Sequence, residues 1–187
     1  MRLNGDTKSA VFLDRDGVIN KTVIKNGKPF APTIIDDIQL LSGVVEAVRI
    51  LDGLGFKLII VTNQPDVAKG LITKHQLAEF HKKISRETGL RHFYVCIHDE
   101  EDQCECRKPK TGLFEEAAKD LGINFASSYM IGDRWKDVQA GQELGCSCFF
   151  IDNQYLERRP PPPFSTVRSL LEAALQIKEM THAKQHR

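Results

Sequence analysis

Apolar residues along this chain fall into short continuous runs, and these runs alternate with longer segments in which apolar residues recur at helical spacing. The short runs predict five strands, at 10–13, 56–61, 93–97, 128–131 and 146–151. The periodic segments predict helices at 42–54, 73–88 and 111–121, one that ends at Leu144, and a last one at 165–179. Alternating strands and helices with short connections predict an α/β fold, in which a doubly wound, Rossmann-like parallel sheet carries helices on both faces.

Two connections interrupt this alternation. Residues 20–37 are polar and irregular, with a possible hairpin at Asn26-Gly27. This loop either folds over a substrate or is a mobile surface loop, and the sequence leaves both open. Pro160–Pro163 form a polyproline connector, and 181–187 is predicted to be a frayed tail. We expect one domain, 1–187, with its core at about 9–178.

Composition narrows the setting in which the protein works. A formal net charge of +1 over 187 residues gives no electrostatic reason to expect a nucleic-acid or membrane partner. No apolar run is long enough for a membrane span, and residues 1–9 carry no secretory segment. We therefore expect a cytoplasmic protein. We also expect it to be a monomer that acts on a small molecule.

The candidate chemistry lies where the predicted strands end. Asp14 and Asp16 follow the first strand one residue apart, and Gly17 allows a sharp turn beside them. Two neighbouring carboxylates repel each other, and the usual remedy is a hard divalent cation such as Mg²⁺. Because ligands of parallel sheets bind beyond the carboxyl ends of the strands, we expect the other polar strand ends to meet this pair. These ends are Thr62-Asn63-Gln64, Arg107-Lys108 and Asp133 to Asp137.

The cysteines divide into two groups. Three thiols and one imidazole fall within a loop at 96–106 and match a closed tetrahedral structural Zn²⁺ site, with ligands Cys96, His98, Cys104 and Cys106. Cys146 and Cys148 alternate within a predicted strand and are interpreted as core thiols. Three further histidines have no evident partner and are predicted to lie at the surface: His75, His81 and His92.

This set of residues suits phosphoryl transfer to a carboxylate. Asp14 would attack phosphorus, and Asp16 would act as general acid and base. Mg²⁺ would be held by Asp14, Asp133 and the backbone carbonyl of Asp16, while Lys108 and Thr62 would stabilise the phosphoryl oxygens. We expect Asp137 to orient the metal site or Lys108.

The same motifs resemble those of the haloacid dehalogenase-like phosphatases, over about residues 9–178. The Cys-x-His and Cys-x-Cys pairs followed by Arg107 resemble a zinc-bearing branch whose members lack a large cap domain. The resemblance implies the same roles for the catalytic residues. It implies substrate contacts by Arg107 and Asn63, and we extend this prediction to Gln64 and Arg134.

Within that branch, the sequence is more similar to members that remove the C7 phosphate of heptose 1,7-bisphosphates. The alternative is histidinol phosphate, because the short segment between His98 and Cys104 is shared with phosphatases of that substrate. Ile97 and Pro65-Asp66 also depart from the pattern of the branch. A non-catalytic, zinc-stabilised binding module is a third alternative, disfavoured by the complete set of catalytic motifs.

Overall fold

A six-stranded parallel sheet forms the centre of the protein. The computed structural model describes residues 7–185. The strands of the sheet are β1 (Ala10–Leu13), β4 (Lys57–Asn63), β5 (His92–Cys96), β6 (Tyr129–Gly132), β7 (Ser147–Ile151) and β8 (Ser165–Val167). Their order is β5-β4-β1-β6-β7-β8, and every pairing is parallel. The predicted doubly wound parallel sheet is confirmed.

Five helices cover the two faces of this sheet. They are α1 (Val44–Gly53), α2 (Lys74–Thr88), α3 (Gly112–Leu121), α4 (Trp135–Glu143) and α5 (Leu170–Gln185). Helices α1, α2 and α5 share one hydrophobic cluster, and α3 and α4 share the other. Strand β1 supplies both clusters, because Val11 and Leu13 point to one face and Ala10 and Phe12 to the other. All four residues are fully buried, which fixes the end of β1 rigidly.

Several element ends follow the predicted local signals. Thr73 caps α2 with a complete capping box to Gln76, and Gly89 ends the helix in the left-handed conformation. Helix α1 starts at Val44, two residues later than predicted, and β4 extends two residues further, through Asn63. Cys146 and Cys148 are buried, as predicted for core thiols.

The C-terminal part differs from the prediction. Residues 165–167 are not the start of the last helix but the edge strand β8, which pairs with β7. The helix begins at Leu170 and continues through Gln185, so most of the predicted tail, 181–187, is helical. A three-residue strand is too short to show the alternation that identifies strands in a sequence. The end of that tail and most of the segment 1–9 lie outside the described residues.

The loop after Asp16 contains a small hairpin of β2 (Val23–Lys25) and β3 (Lys28–Phe30). Asn26 and Gly27 form its turn with φ of 51° and 73°, the positive pair that a type I′ hairpin turn requires. Among the described residues no larger cap domain covers this edge of the sheet, as predicted. Residues 7–185 also contain no helix long and apolar enough to cross a membrane.

Candidate active site

A buried ion-pair cluster lies at the carboxyl ends of the central strands. Asp14 follows β1, and its Oδ1 is 2.6 Å from Nζ of Lys108. The same Nζ is 2.7 Å from Oδ1 of Asp137 and donates to the carbonyl oxygen of Val61 at 2.7 Å. Lys108 is only 2% exposed, and its buried ammonium group joins the end of β1, strand β4 and the first turn of α4 to the loop before α3.

This cluster has more negative than positive charge. One carboxylate oxygen each of Asp14, Asp133 and Asp137 lies within 4.8 Å of the others, and Lys108 is the cation that contacts Asp14 and Asp137. Burial raises the pKa of Asp14 to about 7, and Lys108 opposes this while Asp137 adds to it. Burial and then the charge of Asp14 also raise the pKa of Asp133. Since the charged forms are unfavourable without further positive charge, the cluster is suited to bind a cation.

Asp133 provides a second sign of a cation site. Its Oδ1 is buried and has no hydrogen-bond partner among the described residues. Its Oδ2 accepts hydrogen bonds from the hydroxyl of Tyr155 at 2.7 Å and from Nδ2 of Asn153 at 3.3 Å. A Cβ on Gly17, which has φ of +84°, would lie 1.8 Å from this Oδ2, so only glycine fits there. An all-oxygen set with one unpaired carboxylate oxygen fits Mg²⁺.

Asp16 is held by a polar network of its own. Arg15 is fully buried and contacts both oxygens of Asp16 at 3.0 Å. Nε2 of Gln64 donates to Oδ2 of Asp16 at 2.7 Å and to Oγ1 of Thr62 at 2.8 Å, and Asn20 donates to Oδ1 of Asp16 at 2.9 Å. This network fixes the Asp16 carboxylate and the Thr62 hydroxyl relative to each other.

The network corrects two of our predictions. Gln64, predicted to contact the substrate, is fully buried and also accepts from Arg15, so we assign it a positioning role. His81, predicted to lie free at the surface, is half-buried, is 3.3 Å from Nη1 of Arg15, and stacks on Phe93. Burial, with the nearby charge of Arg15, lowers the pKa of His81 to about 4. A neutral His81 can therefore accept a hydrogen bond from Arg15 at neutral pH.

Asn63 holds the backbone of Lys108 in place. Its Oδ1 accepts from the backbone N–H of Lys108 at 3.0 Å, and its Nδ2 donates to the carbonyl oxygen of Lys108 at 3.1 Å. Both ends of the amide are thus engaged with the chain itself. Asn63 was predicted as a substrate contact, and the structure gives it this positioning role as well.

The four predicted zinc ligands converge. Sγ of Cys104 lies 3.6 Å from Sγ of Cys96 and 3.4 Å from Sγ of Cys106. Nδ1 of His98 is 3.7 Å from Sγ of Cys96 and 3.2 Å from Sγ of Cys106. Sulfur ligands about 2.3 Å from a tetrahedral ion would be about 3.8 Å apart, so this cluster has the size of a zinc site.

The ion-pair cluster opens into a cleft of about 480 Å³. Most of the predicted site residues line it: Asp14, Asp16, Thr62, Asn63, Arg107, Lys108, Arg134 and Asp137. Arg107 donates to the carbonyl oxygen of His98 at 3.2 Å, and its Nε is buried without a partner among residues 7–185. Arg134 forms a two-point ion pair with Glu157, which limits its freedom to contact a substrate.

Sequence reasoning missed one functional segment, residues 153–157, which follows β7. It supplies Asn153 and Tyr155 to Asp133, and Glu157 to Arg134. One available signal was position, because this segment follows a predicted strand at the same edge of the sheet as the other polar clusters.

The comparisons with known proteins agree with this geometry. A family model described as haloacid dehalogenase-like hydrolase matches residues 19–145, and the chain belongs to this family. A protein from Haemophilus ducreyi named D-glycero-beta-D-manno-heptose-1,7-bisphosphate 7-phosphatase is 39% identical over 150 residues, which are 74% of this chain and 79% of that one. A protein of the same name from Yersinia pestis is 36% identical over 143 residues, 70% of this chain and 73% of that one.

Among solved structures, a D,D-heptose 1,7-bisphosphate phosphatase from B. bronchiseptica, complexed with magnesium and phosphate, has the same fold. The TM-score is 0.81 at 24% identity, with 92% of this chain and 99% of that chain covered. The family and the named relatives confirm the prediction of a phosphoric monoester hydrolase.

Proposed function

We propose that this chain hydrolyses the C7 phosphate of D-glycero-D-manno-heptose 1,7-bisphosphate and releases heptose 1-phosphate and inorganic phosphate. The observation that carries the proposal is the buried contact of Asp14 with Lys108 at the base of an open cleft, in a chain 39% identical to a relative of that name. A carboxylate and an ammonium group in this position suit a phosphoryl group, because one attacks phosphorus and the other neutralises its oxygens.

The reaction takes two steps. In the first, a carboxylate oxygen of Asp14 bonds to phosphorus while the bond from phosphorus to the C7 oxygen breaks, and Asp16 gives that oxygen a proton. In the second, a water molecule attacks the aspartyl-phosphate, Asp16 takes its proton, and the bond between phosphorus and the Asp14 oxygen breaks. Both carboxylates line the cleft, which gives them access to the same phosphoryl group.

Lys108 and Thr62 hold the phosphoryl oxygens. Lys108 is kept charged, because the carboxylates of Asp137 and Asp14 raise its pKa against the opposing effect of burial. Asp14 and Asp133, with the backbone carbonyl of Asp16, would hold Mg²⁺, and Asp137 lies within reach of the same position. Bound there, the cation supplies positive charge that offsets the repulsion between Asp14 and the phosphate.

We assign a structural role to Zn²⁺ at Cys96, His98, Cys104 and Cys106. Four protein ligands leave no open coordination position, so the ion would order the loop rather than take part in the reaction. Arg107 and Lys108 follow this loop directly and depend on it for their direction.

We further propose that the protein acts in the cytoplasm as a monomer, on a small phosphorylated sugar, without nucleic-acid or membrane partners. The net charge of +1 supports the absence of a polyanionic partner.

The substrate assignment predicts the outcome of a phosphate-release assay with Mg²⁺ and a panel of phosphate esters. The panel holds both anomers of D-glycero-D-manno-heptose 1,7-bisphosphate, histidinol phosphate and a 3′-phosphorylated oligonucleotide. We expect kcat/KM for one heptose anomer to exceed that for every other ester by about 10²-fold or more. A preference for histidinol phosphate would leave the mechanism intact and overturn the substrate.

Removing the hydroxyl of Tyr155 is expected to weaken Mg²⁺ binding. In Tyr155→Phe, Oδ2 of Asp133 loses its hydrogen bond of 2.7 Å, and the carboxylate can turn away from Asp14. The Mg²⁺ concentration for half-maximal phosphate release should rise about tenfold, with a smaller change at saturating Mg²⁺.

The matched control for this variant is Tyr94→Phe. Tyr94 makes a similar hydrogen bond of 3.0 Å to Asp120, a pair that is not part of the cleft lining. The control should keep the Mg²⁺ dependence of the unmodified protein. Equal Mg²⁺ dependence of Tyr155→Phe and Tyr94→Phe would contradict the positioning role of Tyr155.

A further inference from the structure

Two lysines of the hairpin line the cleft without forming an ion pair. Four other cations of the cleft lining have a carboxylate partner: Lys108 with Asp14 and Asp137, Arg134 with Glu157, Lys69 with Asp99, and Lys136 with Glu100. A fifth, Arg107, has no carboxylate partner among residues 7–185 and donates to the carbonyl oxygen of His98. Lys25 and Lys28 form no ion pair within residues 7–185, and both are exposed in the cleft wall. Their positive charge is therefore available to a ligand.

The hairpin places these two charges next to each other. Lys25 and Lys28 are direct partners across the turn, so their side chains point to the same face. Like charges at directly opposed positions destabilise a strand pair. The ring of Phe30, 5.6 Å from Nζ of Lys25, compensates one of them in part. An anion between the two ammonium groups would relieve the repulsion.

Contacts with the segment 153–157 hold the hairpin in place. At its tip, the backbone N–H of Leu156 donates to the carbonyl oxygen of Gly27 at 2.8 Å. The Leu156 side chain lies so close that a Cβ on Gly27 would be 2.5 Å from its Cδ1. At the base of the hairpin, the hydroxyls of Thr22 and Tyr155 are 3.3 Å apart. Because the Tyr155 hydroxyl also donates a hydrogen bond to Asp133, the hairpin is fixed relative to the ion-pair cluster.

A bisphosphate presents two anions to this cleft. One phosphoryl group must reach Asp14 and Lys108, so the other lies elsewhere in the same cavity of about 480 Å³. We propose that Lys25 and Lys28 form the subsite for the phosphate that remains on the sugar. The inference rests on the proposed function, since only a doubly phosphorylated substrate has this second group. Two ammonium groups match the charge of one phosphate monoester, and each can donate a charge-assisted hydrogen bond.

The test compares a substrate that has two phosphate groups with an ester that has only one, in the same variants. The variants are Lys25→Gln, Lys28→Gln and the double variant, and the substrates are D-glycero-D-manno-heptose 1,7-bisphosphate and p-nitrophenyl phosphate. We expect each single variant to lower kcat/KM for the bisphosphate about tenfold and the double variant about 10²-fold, mainly through KM. Values for p-nitrophenyl phosphate should change less than about twofold, because that ester has no second anion for the subsite.

Lys21→Gln is the matched control. Lys21 precedes the hairpin, contacts Oε1 of Gln39 at 3.1 Å, and is not part of the cleft lining, so both activities should be unchanged. An equal Tm of all variants would confirm that folding is intact.

The outcomes separate the two proposals. If the unmodified enzyme prefers the bisphosphate and the double variant keeps that preference, the subsite is wrong and the proposed function stands. If the double variant loses both activities equally, the lysines support the reaction generally and the subsite is again wrong. If the unmodified enzyme does not prefer the bisphosphate, the proposed function fails, and the subsite with it.

Discussion

Asp14→Asn is expected to abolish Mg²⁺-dependent phosphate release, by at least about 10³-fold in kcat. The amide oxygen of asparagine is a much weaker nucleophile than a carboxylate, so no aspartyl-phosphate can form. The side chain keeps its size at the end of the fully buried strand β1, and the geometry of the cleft is maintained.

The variant should remain folded. Lys108 retains Oδ1 of Asp137 at 2.7 Å and the carbonyl oxygen of Val61 at 2.7 Å. Burial disfavours the ionised form of Asp14. Removing the negative charge of Asp14 also removes its repulsion with the carboxylates of Asp137 and Asp133. We expect the Tm without added metal to be equal to or higher than that of the unmodified protein.

Asp52→Asn provides the control for charge removal, because Asp52 is exposed on α1 and is not part of the cleft lining. It should retain full activity. Phosphate release that persists in Asp14→Asn at the level of Asp52→Asn would show that Asp14 is not the nucleophile.

The parts of the site that the sequence predicted are those with a local signal. Asp14 follows a continuous apolar run, and Lys108 follows a tight group of predicted metal ligands, so each has a recognisable neighbour along the chain. The rule that ligands bind beyond the carboxyl ends of parallel strands then predicted that they meet. The ion pair of 2.6 Å between them joins residues 94 positions apart.

The parts that the sequence did not predict depend on tertiary contacts. Arg15 was not singled out, yet it is fully buried and connects Asp16, Gln64 and His81. Nothing next to Arg15 in the chain distinguishes it from a solvated arginine, because its distant partners, Gln64 and His81, follow β4 and lie on α2. Gln64 belongs to a polar run at the end of a predicted strand. Such a run does not show whether a residue faces the cleft or is buried beneath it.

The same limit applies to the segment 153–157. Its polar residues read as an ordinary loop, and their function depends on packing against Gly17 and Gly27, which are more than a hundred positions away. The close approach to both glycines is visible only in three dimensions. The sequence pattern therefore predicted which residues meet in the cleft better than it predicted the residues that hold them there.

The second large effect is expected from Cys104→Ser. Sγ of Cys104 lies 3.6 Å from Sγ of Cys96 and 3.4 Å from Sγ of Cys106. Replacing Cys104 removes one of the four proposed zinc ligands, so the variant should purify without zinc. The Tm should fall by about 5 °C or more, since each kcal/mol lost shifts the Tm of a domain of this size by about 2–4 °C.

Cys146→Ser is the matched control, because Cys146 is a buried thiol outside the cluster and should retain one zinc ion per chain. A chelator should lower the Tm of the unmodified protein and of Cys146→Ser, and leave that of Cys104→Ser unchanged. Zinc content, measured by elemental analysis, separates loss of the ion from a general loss of stability.

The kinetic effect of Cys104→Ser should appear in KM more than in kcat. Arg107 is directed by its hydrogen bond to the carbonyl oxygen of His98, a proposed zinc ligand, and should lose that support with the ion. Lys108 has a second anchor, because Asn63 holds its backbone through two hydrogen bonds of 3.0 Å and 3.1 Å. Substrate binding should therefore weaken while the ion-pair cluster around Lys108 stays assembled. Zinc content, Tm and KM equal to those of the unmodified protein would show that the cluster does not bind a structural ion, and an equal loss in kcat would show that Asn63 alone does not hold Lys108 in place.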